Sequence, residues 1–350
     1  MKENKWLVIV TGAVVGLASL LLVFMGNPAN MGFCIACFLR DTVGALGGHQ
    51  ADIVQYVRPE IIGLVLGAFI MAMIGKEYAP KGGSAPISRF VLGACTMIGA
   101  LVFLGCPLRM MLRIAGGDLN AIIGLVGFVL GIGLGILFLN KGFSLKRNYK
   151  LAKVEGAVYP ILNVLLLIVL VAAPTLLIFS SEGPGSMHAP IWIALILGLI
   201  VGGLAQKSRF CTVAGIRDTI MFKDTHMLKG FVVVIVVVLI GNMVLGNFNL
   251  GFEAQPIAHN DFVWNLLSMV VVGFASVLLG GCPMRQLILA GEGNTDSVVT
   301  ILGLMAGAAI SHNFKLASSG TGPSEYGPIA TVICFVIVLG IGISNIQKQK

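Results

Sequence analysis

The chain has 350 residues, of which 57% are hydrophobic and only 11% charged. An average soluble domain carries about 25% charged residues, so the composition excludes a water-soluble protein built on a single buried core. The formal net charge of +8 does not indicate a nucleic-acid binder: the basic residues sit in short loops between apolar runs, and no basic stripe with interleaved aromatics occurs.

In chain order, apolar runs fall at 6–26, 58–75, 88–105, 119–139, 157–179, 190–206, 228–247, 262–281, 297–311 and 328–345. A bilayer core needs about 20 residues of helix. The runs therefore predict an all-α polytopic membrane protein with about nine or ten transmembrane helices. Three runs are near the lower length limit and read either as spans or as re-entrant or broken helices near the midplane. The first run follows Lys2 and Lys5 and ends in NPAN. It is longer than the roughly 7–15-residue apolar core of a cleaved signal peptide, so it reads as a spanning helix.

The connections divide by charge. Lys76, Lys81 and Arg89 lie between the second and third runs, and Lys141, Lys146, Arg147, Lys150 and Lys153 between the fourth and fifth. Lys207, Arg209, Lys223 and Lys229 lie between the sixth and seventh, and the chain ends IQKQK. The loops around 180–189 and 248–261 hold no lysine or arginine. With a cytoplasmic N-terminus, all of these fall on the sides that the positive-inside rule assigns. That arrangement requires an even number of spans and two cytoplasmic termini.

FCIACFLRDT begins at Phe33 and FCTVAGIRDT at Phe210; Phe, Cys, Arg, Asp and Thr coincide without a gap, 177 residues apart. GCPLR at Gly105 and GCPMR at Gly281 coincide at an offset of 176, as do Gly127 with Gly303 and Gly131 with Gly307, and His49 matches His226 at 177. Ordered matches at one offset predict an internal duplication, with residues 1–180 as one transmembrane unit and 181–350 as the second. Five spans per unit is an odd number, so the second unit is expected to be inverted. Inverted repeats are a transporter plan in which the path lies near the midplane at the repeat interface.

The seven cysteines, Cys34, Cys37, Cys95, Cys106, Cys211, Cys282 and Cys334, are too dispersed for a disulfide framework. In the GCPxR blocks, Pro107 and Pro283 favour the first position of a helix. Cys106 and Cys282 then sit at helix starts, whose unpaired N–H groups attract anions. Arg109 and Arg285 add a fixed charge one turn on, and Gly105 and Gly281 permit the tight backbone of a broken helix. Soft sulfur beside positive potential suits a small anion that itself carries sulfur or selenium. The bland alternative is a helix break with a core cysteine and an interfacial arginine.

Cys34 and Cys211 recur with the same neighbours and are read as lining the same path. Arg40 with Asp41, and Arg217 with Asp218, are read as ion pairs that satisfy themselves. Cys34 and Cys37 form a CxxC, but the second unit has Ala214 where Cys37 would recur. One CxxC is half a zinc site, so neither a metal nor a cofactor is expected, and redox use of the pair stays an alternative. Cys95 and Cys334 lie inside apolar runs as small hydrophobes. His49 and His226 are read as surface residues, and His188, His259 and His312 as extramembrane. Gly127, Gly131, Gly135, Gly303 and Gly307 have the four-residue spacing of close-packed membrane helices. No Walker motif and no Ser–His–Asp arrangement can be placed, and few acids lie deep in the runs for a proton relay.

FCIACFLRDT, LGCPLR, SRFCTVAGIRDT and GGCPMRQLILAGEGN together resemble the YeeE/YedE family of bacterial inner-membrane proteins, a sulphur-transport family, over most of the chain. The YedE-like branch, associated with selenium transport, is the nearest in pattern. The resemblance implies a permease rather than an enzyme, with an hourglass-shaped, pseudo-two-fold helical body and re-entrant segments. It implies that a thiosulfate-like or selenium-containing anion is handed along Cys34, Cys106, Cys211 and Cys282 by weak S–H···S contacts. It also suggests a cytoplasmic TusA-like sulfur-carrier protein as a partner for the basic loops. The alternatives are a membrane thiol–disulfide oxidoreductase using Cys34 and Cys37, or a general anion channel using only the arginines.

Overall fold

The computed structural model describes residues 5–347; Lys2 and the last three residues of the basic tail lie outside these. The helices are α1 (Lys5–Phe24), α2 (Ile35–Ala45), α3 (Pro59–Ile74), α4 (Pro86–Phe103), α5 (Pro107–Ala115), α6 (Leu119–Asn140), α7 (Lys153–Ala172), α8 (Gly183–Ser186), α9 (Ile191–Ser208), α10 (Thr212–Phe222), α11 (His226–Val244), α12 (Phe262–Leu279), α13 (Pro283–Gly291), α14 (Thr295–Asn313) and α15 (Gly327–Ser344). Among the described residues, sheet is confined to β1 (Lys81–Gly82) and β2 (Tyr149–Lys150), paired antiparallel.

The ten predicted runs are α1, α3, α4, α6, α7, α9, α11, α12, α14 and α15. Nine segments among the described residues are long and apolar enough to cross a bilayer, and Pro59–Ile74 is a shorter apolar helix. The shortest runs, 190–206 and 297–311, are not re-entrant pieces. They fold as the continuous helices α9 and α14, of 18 and 19 residues. The short segments are instead α2, α5, α10 and α13, which hydropathy alone folds into loops or into the ends of longer runs. The fifth run stops early, because α7 ends at Ala172 and Pro174 opens a 3₁₀ turn.

Loop contacts sort the connections into two faces. On one face β1 pairs with β2, Lys81 bridges Asn294, and the Gln347 N–H donates to the Gly142 carbonyl. On the other, Asp118 bridges Gly251, the Ile178 N–H donates to the Ala45 carbonyl, and Asn313 Nδ2 donates to the Gly48 carbonyl. The start of α1 lies beside the end of α9, with Thr11 Oγ1 3.5 Å from the Leu204 carbonyl; α1 and α9 are therefore antiparallel. The first face carries all the basic loops, and the second carries the two loops without lysine or arginine.

The main helix pairings join the two halves of the chain: α3 with α9, α1 with α11, α6 with α12, and α4 with α14. Glycines make these approaches possible. A Cβ at Gly67 would overlap the Leu199 carbonyl; at Gly127 and Gly131, the Leu266 and Val270 carbonyls; at Gly303, the Phe90 carbonyl. Lipid tails are as apolar as leucine, so helix association in a bilayer depends on such packing rather than on the hydrophobic effect. Gly67→Val is expected to separate α3 from α9 and to destabilise the fold by at least the roughly 1–3 kcal/mol of an overpacked core. A lowered midpoint of aggregation in detergent checks this; an unchanged midpoint would show that the approach is not tight.

Candidate functional site: thiols where short helices begin

Each of the four repeat-matched cysteines is the N-cap residue of a short helix. Cys34 caps α2, Cys106 caps α5, Cys211 caps α10 and Cys282 caps α13. For α5 and α13 this follows from the sequence, since Pro107 and Pro283 occupy the first helical position. The chain reaches two of these caps through a left-handed residue, Leu104 (φ 62°) before Cys106 and Gly280 (φ 82°) before Cys282. Glycine adopts that conformation freely, whereas leucine is strained there. Arg109 Nη1 hydrogen-bonds the Leu104 carbonyl and so holds the turn.

The caps meet in two groups. In the first, the Cys34 and Cys37 sulfurs lie 2.9 Å apart, unbonded, and the Cys37 N–H donates to Cys34 Sγ at 3.4 Å. Cys106 meets Cys34 and faces the amides of Arg109 and Ala36. In the second group the Cys211 and Cys282 sulfurs lie 3.9 Å apart. The hydroxyl of Thr212 stands beside Cys282, buried and without a hydrogen-bond partner of good geometry among the described residues. Both groups belong to one buried cluster, in which α13 also touches α2. The five thiols are closed off from both faces, with Cys211 the most exposed at 5%.

The two arginines differ. Arg109 is 0% exposed. Its guanidinium meets the carbonyls of Leu104, Asn30 (3.3 Å) and Ile257 (3.1 Å), and Cys37 Sγ at 3.6 Å. No carboxylate pairs with it among the described residues. Arg285 instead pairs with Glu292 at 3.2 Å. A buried cation left without a counter-charge is costly, and Arg109 gathers carbonyl dipoles in place of one. The Gly105 and Gly281 backbones press against the side chains of Arg109 and Arg285, and a Cβ at Gly281 would also come within 3.8 Å of Cys211 Sγ.

The Arg40–Asp41 pair forms as expected, at 2.6 Å, but with a third member that sequence reasoning missed. Arg58 binds the other oxygen of Asp41 and, through its remaining nitrogens, the carbonyls of Met187 and Pro184. The repeat-matched pair Arg217–Asp218, at 2.8 Å, is about a quarter exposed and has no third member among the described residues. Arg113, paired with Asp118 at 2.6 Å, and Glu60, which accepts from Asn27 Nδ2 at 2.7 Å, are further buried charges. Glu60 stands in the first turn of α3, at the end of its run rather than deep within it.

One histidine reading is corrected. His49 is buried, not at the surface: its Nε2 donates to the Arg40 carbonyl at 3.0 Å, and its ring lies 4.6 Å from that of His312. His259 is buried too and bonds the Val102 carbonyl at 2.9 Å. Both satisfy loop backbone that bends over the helix ends. Cys95 and Cys334, from α4 and α15, meet each other in a separate apolar cluster away from the four caps. No group of three or more acidic, histidine or cysteine side chains is placed to hold a metal ion among the described residues.

The sulphur-transport family model matches residues 207–335, the segment that contains Cys211 and Cys282 with their arginines. Over this segment the chain is similar to the sulphur-transport family. It is 31% identical over 107 residues to a thiosulfate transporter, TsuA, of Spirochaeta thermophila, covering 31% of this chain and 32% of that protein. It is 29% identical over 124 residues to TsuA of Escherichia coli, covering 35% of each. The chain thus spans about a third of the length of the sulphur-transport relatives it matches.

Proposed function

We propose that the protein is a membrane permease for a small sulfur-containing anion of the thiosulfate type, carried between two thiol groups that share one buried centre. The observation that carries this reading is Arg109, a buried cation without a carboxylate, beside Cys34, Cys37 and Cys106. An anion arriving there supplies the missing counter-charge. Its sulfur accepts weak S–H contacts from the thiols, while the α2 and α5 starts present backbone donors. On the opposite side, Cys211, Cys282 and the unpartnered Thr212 hydroxyl receive it. Soft–soft contact selects sulfur over hard oxyanions, and a selenium-containing analogue fits the same chemistry.

The two units, 1–180 and 181–350, act as inverted repeats, with one thiol group opening to each face in turn. The face with the basic loops and the C-terminal segment is the cytoplasmic face of a bacterial inner membrane, and a TusA-like sulfur carrier would dock there. The TsuA relatives carry the substrate class; the thiol placement carries the route.

Proteoliposome uptake of thiosulfate, selenite, sulfite and sulfate tests the substrate. Thiosulfate or selenite is expected to enter at least tenfold faster than sulfate. Equal rates would leave only the arginine-based anion channel. A second reading, thiol–disulfide exchange at Cys34 and Cys37, is favoured by the contact of their sulfurs. It requires Cys37→Ala to be as damaging as Cys34→Ala, whereas the permease reading expects Cys37→Ala to keep most uptake, because the second unit works with Ala214 at that position.

A further inference from the structure

Where α3 ends and α7 begins, an open cavity of about 500 Å³ is lined by Phe69, Met73, Lys76, Tyr78, Lys153 and Val154. It lies away from the thiols, on the face with the basic loops. Its lower wall is apolar and exposed: Met73 is 51% and Val154 72% exposed. Its upper rim carries two ammonium groups. Neither Lys76 nor Lys153 has an ion-pair partner among the described residues. Of the nearby carboxylates, Glu77 is taken, binding Gln206 Nε2 at 2.8 Å, Lys207 at 3.1 Å and Arg209 at 3.7 Å, and Glu155 in the first turn of α7 makes no ion pair with Lys153 among the described residues. The hydrogen bonds to Glu77, from Gln206 first and then Lys207, hold its carboxyl below its ordinary range, so it stays charged and committed to them.

The wall is fixed in place. Tyr78 Oη donates to the Lys153 carbonyl at 2.6 Å, and its ring stands edge-on to Phe69 at 5.5 Å. The α7 start has no side-chain cap, and Glu155 stands in its first turn. An apolar slot beneath a doubly cationic rim, at the boundary of the apolar surface, fits one kind of occupant. It takes a glycerophospholipid with an anionic phosphate head group, its head between the lysines and an acyl chain along Phe69 and Met73. We propose that this cavity is a binding site for an anionic phospholipid that ties α3 to α7.

The test uses the purified full-length chain, stripped of lipid in detergent and titrated with phosphatidylglycerol or phosphatidylcholine under native mass spectrometry. Phosphatidylglycerol is expected to bind the wild type well above phosphatidylcholine. Each lysine removed should weaken it about fivefold, and Lys76→Gln with Lys153→Gln roughly 25-fold. Lys146→Gln with Arg147→Gln removes the same charge elsewhere on the face and should leave binding unchanged. If the double variant fails to fold, Lys153→Gln alone carries the comparison with its fivefold loss. Equal losses in the Lys146/Arg147 control, equal binding of the two lipids, or displacement of phosphatidylglycerol by millimolar inorganic phosphate would each overturn the proposal.

Discussion

Cys282→Ala is expected to lower thiosulfate uptake by about 10–150-fold while the protein still inserts and folds. The figure follows from one lost hydrogen bond to a charged partner, about 1.5–3 kcal/mol, with each 1.36 kcal/mol of barrier worth about tenfold in rate. Cys106→Ala should behave alike, because its sulfur stands at the matching helix start in the other group. Cys282 has the clearest donor set, with Cys211 3.9 Å away and the unpartnered Thr212 hydroxyl beside it. Cys95→Ala and Cys334→Ala serve as controls, since both thiols lie in the separate cluster; they should transport normally. The assay is radiolabelled uptake into proteoliposomes normalised to inserted protein. If Cys282→Ala and Cys95→Ala transport equally well, the thiols are structural and the proposed route is wrong.

Most of the spans were legible because each is an apolar run of about 20 residues, and the charge of the loops between them placed their ends; the runs near the lower length limit were open to two readings until the helices were seen. The cap positions of Cys106 and Cys282 were legible because proline has a positional preference that survives any tertiary context. Cys34 and Cys211 lack that proline. Nothing local announces that Ile35 and Thr212 begin helices, and only the internal match suggested that they share a role. The buried partners were hidden for a different reason. Arg58 lies 17 residues from Asp41, and His49 is covered by α14 through His312. Such contacts arise from how loops fold back over helix ends, which has no periodicity to read. Thr212 was within reach, adjacent to Cys211 in a block already singled out, but a hydroxyl in an apolar setting more often bonds its own helix.

Asp41→Ala is expected to be the most destabilising single substitution in the charged network, by about 3–5 kcal/mol, the cost of stranding a buried charge. Its carboxylate is fully buried and bridges two guanidiniums, Arg40 at 2.6 Å and Arg58 at 2.7 Å. Arg58 is also the anchor of the 184–187 segment through the Pro184 and Met187 carbonyls, and it lies 4.7 Å from the centre of the Phe38 ring. Loss of Asp41 therefore loosens the outer end of α2 and the cap Cys34 with it, so uptake should fall together with stability. Asp218→Ala is the matched control. Its pair with Arg217 falls at the matching position of the FCxxxxxRDT sequence block but is about a quarter exposed, and exposed pairs are worth about 0–1 kcal/mol. Thermal unfolding of both variants in the same detergent measures the contrast. Similar midpoints for the two would mean that water reaches Asp41 and that the buried triad does not fasten the first thiol group.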